Sequence, residues 1–215
     1  MSNTLQNPKV RLLLQRLFAA AARDEDAPIQ PALSFATVGA QELADALANV
    51  YMPISAQGGD LLYALIRAAR PATIVEFGTS FGISTLYLAA AVADNGSGRV
   101  WSTELSAAKI AAAHANLAEA GLDGAVTILA GDARQTLADV TGPIGLVVLD
   151  GWKELCLPVL QLLEPRLAPG ALVVADDISM TSMSAYLDYV RDPGNGYVSV
   201  AFPVADGMEV SCRAA

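Results

Sequence analysis

The chain has one histidine, two cysteines and no run of basic residues, and each shortage removes a class of function. His114 lies among alanines in a segment with helical spacing, which gives no support to imidazole-based catalysis. Cys156 and Cys212 stand far apart without metal-ligand spacing and read as reduced, inert thiols. With a net charge of −9 and no basic stripe, the chain has little to neutralise a phosphate backbone, which argues against nucleic acid as a partner. An acidic protein suits a small neutral or cationic ligand at least as well. No segment approaches the ~18 consecutive apolar residues of a membrane span. Polar residues and Pro8 precede Leu12-Leu13-Leu14, and Gln15-Arg16 interrupts the apolar run, so neither a membrane anchor nor a secretory signal is expected and a cytoplasmic protein is the simplest reading. Repeats and low-complexity tracts are absent. The 215 residues fit one domain, 1–215, with a helical cap segment over 1–57, helices being read at 9–23 and 40–50, and a core over 58–215.

What is there begins at Ile74-Val75-Glu76-Phe77-Gly78-Thr79-Ser80-Phe81-Gly82-Ile83-Ser84. This reads as a buried strand ending in the carboxylate of Glu76, a turn punctuated by Gly78 and Gly82, and a helix from Ser84 to Ala93. Glycines let a ligand approach the backbone, and a helix start offers unpaired N–H groups. A second strand ends in Glu104, 22 residues beyond Gly82, where a nucleotide-binding α/β unit accepts hydrogen bonds from ribose hydroxyls. Its bland alternative is a carboxylate favoured by a helix N-terminus. A third strand, Val126–Ala130, runs into Gly131-Asp132-Ala133. There Asp132 either accepts from an adenine amino group, with Ala133 offering an N–H to the ring, or caps the next helix.

Strands and helices alternate through the rest of the chain. Strands are read at Thr73–Phe77, Arg99–Glu104, Val126–Ala130, Gly145–Asp150, Ala171–Asp176, Tyr197–Phe202 and Met208–Arg213. Helices are read at Asp60–Ala69, Ser84–Ala93, Ala107–Ala120, Glu154–Leu167 and Ser182–Arg191, with Pro165 predicting a bend or an early end to the fourth of them. Runs such as Leu146-Val147-Val148-Leu149 are apolar at consecutive positions, as in parallel strands buried on both faces. Ala205-Asp206-Gly207 signals a closing hairpin. Asp150 ends the fourth strand and Asp176-Asp177 the fifth, and neighbouring parallel strands deliver their ends to one edge. Carboxylates crowded there repel unless a hard divalent cation takes them as ligands.

The acidic residue ahead of glycines spaced G-x-x-x-G resembles the first motif of S-adenosylmethionine (AdoMet) dependent methyltransferases. Asp150-Gly151-Trp152-Lys153 followed by Ala175-Asp176-Asp177 is similar to the metal-dependent O-methyltransferases typified by the catechol and caffeoyl-CoA enzymes, over roughly residues 52–213. The resemblance implies a Rossmann-like class I methyltransferase fold: an α/β domain with a mostly parallel seven-stranded sheet, a C-terminal antiparallel hairpin and helices on both faces. It implies an AdoMet pocket lined by Ile54, Glu76, Gly78, Thr79, Ser84, Glu104, Asp132, Ala133 and Asp150. Met52-Pro53-Ile54-Ser55 matches the segment that closes over the methionine end. It also implies a divalent cation on Asp150, Asp176 and Asp177, Mg²⁺ first and Ca²⁺ or Mn²⁺ as alternatives. Lys153 would be the general base, its pKa depressed by the cation, and Trp152 and Glu209 would flank the substrate. That substrate would be a small hydroxylated acceptor, a catechol-like vicinal diol, and the protein has room to act as a homodimer.

Two positions depart from the family pattern. The third ligand is usually Asn where this chain has Asp177, and Gly151 stands where the catechol enzyme has His. Other readings stay open. Lys153 as a solvated cation, Trp152 as core, Asp176-Asp177 as helix caps and Glu209 as a strand residue would fit a metal-independent N- or O-methyltransferase. They would also fit a non-catalytic AdoMet-binding module.

Overall fold

The computed structural model describes residues 3–24 and 38–214. Seven strands form one sheet: β1 (Thr73–Phe77), β2 (Arg99–Glu104), β3 (Val126–Ala130), β4 (Ile144–Leu149), β5 (Leu167–Ala175), β6 (Tyr197–Phe202) and β7 (Met208–Arg213). Their order is β3-β2-β1-β4-β5-β7-β6. The first five run parallel, and β7 lies antiparallel between β5 and β6. The chain therefore starts at the middle of the sheet, winds outward one way, returns and winds the other way. The reversal falls between β1 and β4, where open α/β sheets bind ligands.

Around the sheet lie α1 (Pro8–Asp24), α2 (Ala40–Ala46), α3 (Ala56–Ala69), α4 (Ile83–Asn95), α5 (Ala107–Ala120), α6 (Ala133–Thr136), α7 (Cys156–Leu163) and α8 (Ser184–Arg191). Consecutive strand residues feed opposite cores. Ile74, Leu146, Val148 and Val174 pack with Leu62, Ile66, Leu86 and Leu117 from α3, α4 and α5. Val75, Val147, Leu149 and Val173 pack with Val159, Leu160, Tyr186 and Val190 from α7 and α8. This is why the strand sequences are apolar without alternation. Each such side chain taken fully out of water contributes about 1.5–3 kcal/mol, so the two cores hold β1 and β4 rigidly beneath whatever sits at their ends.

Local signals set most of the boundaries. Ser55 caps α3 by accepting from Gly58 N–H, and Ser106 caps α5 by accepting from Lys109 N–H. Gly121 ends α5 in the left-handed region. Helix α3 begins at Ala56 rather than Asp60, because Gly58 and Gly59 are helical: a Cβ on Gly59 would lie 2.5 Å from the Tyr87 ring. The glycines let α3 and α4 approach closely. The segment expected as one helix over Glu154–Leu167 is instead a 3₁₀ turn at Lys153–Leu155, then α7, then a second 3₁₀ turn at Glu164–Arg166, with β5 starting at Leu167. Pro165 sits at the start of that second turn, where it has no helical N–H to lose. Similarly, 40–50 is helical only to Ala46, and α8 starts at Ser184 after a 3₁₀ turn at Thr181–Met183. The hairpin turn carries positive φ at Ala205 (48°) and Gly207 (88°).

Helix α1 lines no part of the large cavity, and only its last turns, at Phe18, Ala21 and Ala22, come beside Asp176 and Asp177. Its apolar face joins the α3–α5 side of the sheet, and Arg16 forks Glu119 of α5. Residues 25–37 of the expected 1–57 cap lie outside the described residues.

Candidate active site

A cavity of about 510 Å³ opens at the carboxyl ends of β1, β2 and β4. Its inner wall is the turn after β1. Gly78 has φ 104°, and a Cβ there would lie 2.6 Å from the Asp150 carbonyl oxygen, so only glycine lets the ends of β1 and β4 touch. Gly82, at φ 83°, precedes α4 without a side-chain cap, leaving the first-turn N–H groups without that partner. Between them Ser80 adopts φ 47°, a conformation a non-glycine residue seldom takes. Thr79 is held by the Thr103 carbonyl and by Ser102, which fixes the turn against β2. On the opposite wall stand Leu43, Ala44 and Leu47 around α2, followed by Tyr51, Met52, Pro53 and Ile54. The Tyr51 ring stacks on Phe81 with centroids 3.9 Å apart and planes 10° from parallel, joining the two walls.

Of the residues expected at the cofactor, Ile54, Gly78, Thr79, Ser84, Glu104, Asp132, Ala133 and Asp150 all line this cavity. Glu104 is held at the end of β2 by the N–H groups of Ser80, Leu105 and Ser106 at 2.8–2.9 Å. Asp132 caps α6 through Arg134 N–H and is forked by the Arg134 guanidinium, which holds its carboxyl below the usual range. Both of its sequence readings meet in one residue: the carboxylate caps a helix and borders the cavity.

Glu76 requires a correction. It is fully buried and does not border the cavity. Its Oε2 accepts from Thr85 Oγ1 at 2.6 Å and from Ser102 Oγ, while Oε1 has no partner among the described residues. Burial pushes its pKa up to about 7, against the pull of the Ser102, Ser84 and Thr85 hydroxyls. The carboxyl end of β1 carries Glu76 one residue too deep to reach open space, so it holds β2 and α4 in place behind the cavity.

At the far side of the cavity, one oxygen each of Asp150, Asp176 and Asp177 lie within 4.8 Å of one another. This matches the ~4–5 Å that separates opposite oxygens around one Mg²⁺ or Ca²⁺ ion, and three hard carboxylates suit those metals. Asp177 adopts φ 56°, the left-handed region that Asn and Asp tolerate best, so the backbone accommodates either residue at this position. Lys153, buried at 9% exposure, puts Nζ 2.8 Å from Asp150 Oδ1 and 2.9 Å from Asp177 Oδ2. Burial alone would lower its pKa, but Asp150 and Asp177 outweigh that and raise it. The expected depression is thus reversed as long as those carboxylates face the ammonium. Asp176 has no ion pair to Lys153, and burial, with Asp150 and Asp177 adding to it, outweighs the pull of that ammonium and pushes its pKa up to about 7. A group of three carboxylates with one ammonium is short of positive charge, and a divalent ion is the group these residues fit.

Trp152 lines the cavity, half-buried, beside the exposed Met52 and Met180. Gly151 packs on Phe77: a Cβ there would lie 2.5 Å from the ring. Glu209 is not brought to the site. It pairs in register with Ala175, is buried, and points to α8, where Arg191 Nε and Nη2 fork it at 2.8 and 2.7 Å. The alternation of β7 decides this, because the side chain falls on the sheet face that α8 covers. A smaller recess of about 300 Å³ borders Asp176, Asp177, Phe18 and Asp206.

Tyr51, Phe81 and Lys109 are among the cavity residues to which the sequence reading gave no role. Tyr51 carries no motif, and Phe81 lies inside the glycine-spaced turn, where the motif gives its ring no role. Lys109 had a signal, since a cation in the first turn of a helix opposes the dipole.

Comparison with known proteins agrees with this geometry. Residues 75–178 match a family model described as a methyltransferase domain. A probable O-methyltransferase of Mycobacterium tuberculosis is 33% identical over 176 residues, covering 73% of this chain and 74% of that protein. A catechol O-methyltransferase of the same organism is 31% identical over 144 residues, covering 66% and 64%. The O-methyltransferase TomG of Streptomyces achromogenes, involved in tomaymycin synthesis and solved in complex with SAM, superposes with a TM-score of 0.68 at 21% identity over 94% of this chain and 99% of that one. The chain belongs to the class I O-methyltransferases, the AdoMet-dependent enzymes its motifs resemble.

Proposed function

We propose that this enzyme methylates one hydroxyl of a small aromatic vicinal diol, with AdoMet in the large cavity and a divalent cation, Mg²⁺ first, on Asp150, Asp176 and Asp177. The observation that carries this reading is the carboxylate trio with Lys153 among it at the cavity edge. The cavity volume falls within the range of small-molecule sites, and the names of the catechol-methylating relatives support the diol. When bound, the cation would lower the pKa of a hydroxyl it contacts, and AdoMet would supply the methyl group on a sulfonium. The chain's own residues do the rest. Glu104 and Asp132 present carboxylates to the nucleoside end of the cavity. Met52, Trp152 and Met180 form an apolar rim suited to a flat ring. Lys153 is the side chain placed to take the acceptor's proton, and its base form requires Asp150 and Asp177 to be engaged elsewhere.

The test is methyl transfer from AdoMet to 3,4-dihydroxybenzoate by protein stripped with a chelator, then resupplied with Mg²⁺. Turnover should fall at least roughly 100-fold on stripping and return with the ion. Turnover indifferent to chelation would select the metal-independent reading, in which the acidic cluster orients an amine or a lone hydroxyl. S-adenosylhomocysteine binding without turnover on any acceptor would select the non-catalytic one.

A further inference from the structure

Lys109 is 4% exposed, in the first turn of α5, and borders the large cavity beside Ser80, Phe81 and Glu104. Three features oppose an ammonium there. The site is buried, the helix start is itself positive, and no hydrogen bond or ion pair reaches Nζ among the described residues. The Phe81 ring lies 5.6 Å from Nζ to centroid, near the limit for a cation over an aromatic face. Burial lowers its pKa and Glu104 only partly restores it. An ammonium on a largely buried stem at a cavity wall, with no protein partner among the described residues, is free to donate to an acceptor that a ligand supplies.

We infer that Lys109 is a second ribose-binding residue beside Glu104, donating to the ribose oxygens whose hydroxyl protons Glu104 accepts. The inference rests on AdoMet occupying this cavity. The chemistry is complementary: each ribose hydroxyl has one proton to give, which a carboxylate takes, and lone pairs that an ammonium can use. Glu104 already accepts three backbone N–H bonds. It is therefore fixed in place and leaves the other side of the hydroxyls open to Lys109. The residue determines affinity for the nucleoside and takes no part in moving the methyl group.

Calorimetry on the full chain tests this with two probes, S-adenosylhomocysteine and its 2′,3′-dideoxy analogue. Lys109→Met should weaken the first roughly 10- to 100-fold, as expected for a lost charged hydrogen bond, and bind the second within about threefold of wild type. Without ligand, the variant should melt at or above the wild-type temperature, because an unpaired buried charge has been removed. Lys109→Gln, which keeps a donor, should lose less affinity for S-adenosylhomocysteine than the methionine variant. Equal losses on both probes, or a ligand-free variant that melts lower, would assign Lys109 to packing and overturn the inference. Unchanged S-adenosylhomocysteine binding would overturn it as well. A wild-type chain that binds neither probe would instead bring down the cofactor reading and this inference together.

Discussion

Lys153 and Asp177 arrive from the ends of different strands, β4 and β5, and meet at 2.9 Å between Nζ and Oδ2. The contact ties the proposed proton acceptor to the carboxylates expected to hold the cation, so the charge state of one depends on the occupancy of the other. An ammonium facing Asp150 and Asp177 is a poor base. The residue becomes useful only when those carboxylates have another positive partner.

Lys153→Met should therefore lower turnover on a diol by roughly 10²–10⁴-fold, the usual contribution of a general base. S-adenosylhomocysteine affinity should stay within a few-fold of wild type. Raising the pH should recover part of the lost rate, because the acceptor hydroxyl then ionises unaided. A variant that turns over within about threefold of wild type, with an unaltered pH profile, would show that Lys153 is not the base.

Glu76 yields a prediction about stability. Its carboxyl titrates near 7 in the folded chain and near its ordinary value of about 4.5 when unfolded. The folded state therefore binds the extra proton in that window, and stability falls as pH rises through it. The stability is fully present below about 4.5, and of the order of 3 kcal/mol is lost by the time the pH passes about 7. Glu76→Gln removes the titration, so urea denaturation of the ligand-free proteins should show the variant gaining on wild type between pH 5 and 7, both values being approximate limits of the window. Parallel stability curves for the two proteins would mean that Glu76 is not a buried, neutral-leaning carboxyl.

The Arg191–Glu209 fork makes the third case. Arg191→Met leaves the buried Glu209 carboxylate without its partner. It should cost about 2–4 kcal/mol, less than a fully buried pair because the Arg191 side chain is 47% exposed. Glu209→Gln should leave the KM for the acceptor within about twofold of wild type. A tenfold rise in KM would return Glu209 to the acceptor site.

The sheet was legible because its signal is local and redundant. Leu146-Val147-Val148-Leu149 must be buried on both faces, and the terminal acids of β1, β2, β4 and β5 mark one edge. The seven strands accordingly appear in the expected segments, with β4 displaced by one residue and β5 extended at its start to Leu167. Helix starts were less legible wherever glycine intervened. The helix read from Asp60 begins at Ala56, because Gly58 and Gly59 are set in the helix by their contacts with Ile54 and Tyr87. Cofactor-side residues were legible when a strand end placed them, as with Glu104 and Asp132. Glu76 and Glu209 were misplaced for one reason: a motif gives the position along a strand, but the side chain's destination depends on which helix covers that face. The Tyr51–Phe81 stack follows from packing between segments far apart in the chain and no local pattern announces it, whereas Lys109 is marked only by its place in the first turn of α5.

Gly151 lies so close to the Phe77 ring that neither residue can change size alone. The catechol enzyme's histidine at this place is therefore not one substitution away. A side chain introduced at Gly151 would have to displace an aromatic ring from the second core, and shrinking Phe77 first would open a void beneath β4. Both intermediates on the route between the two sequences are disfavoured, so the pair is expected to be exchanged together or kept. A chain with glycine here and one with histidine would then differ by a packing constraint at this contact, irrespective of what either enzyme methylates.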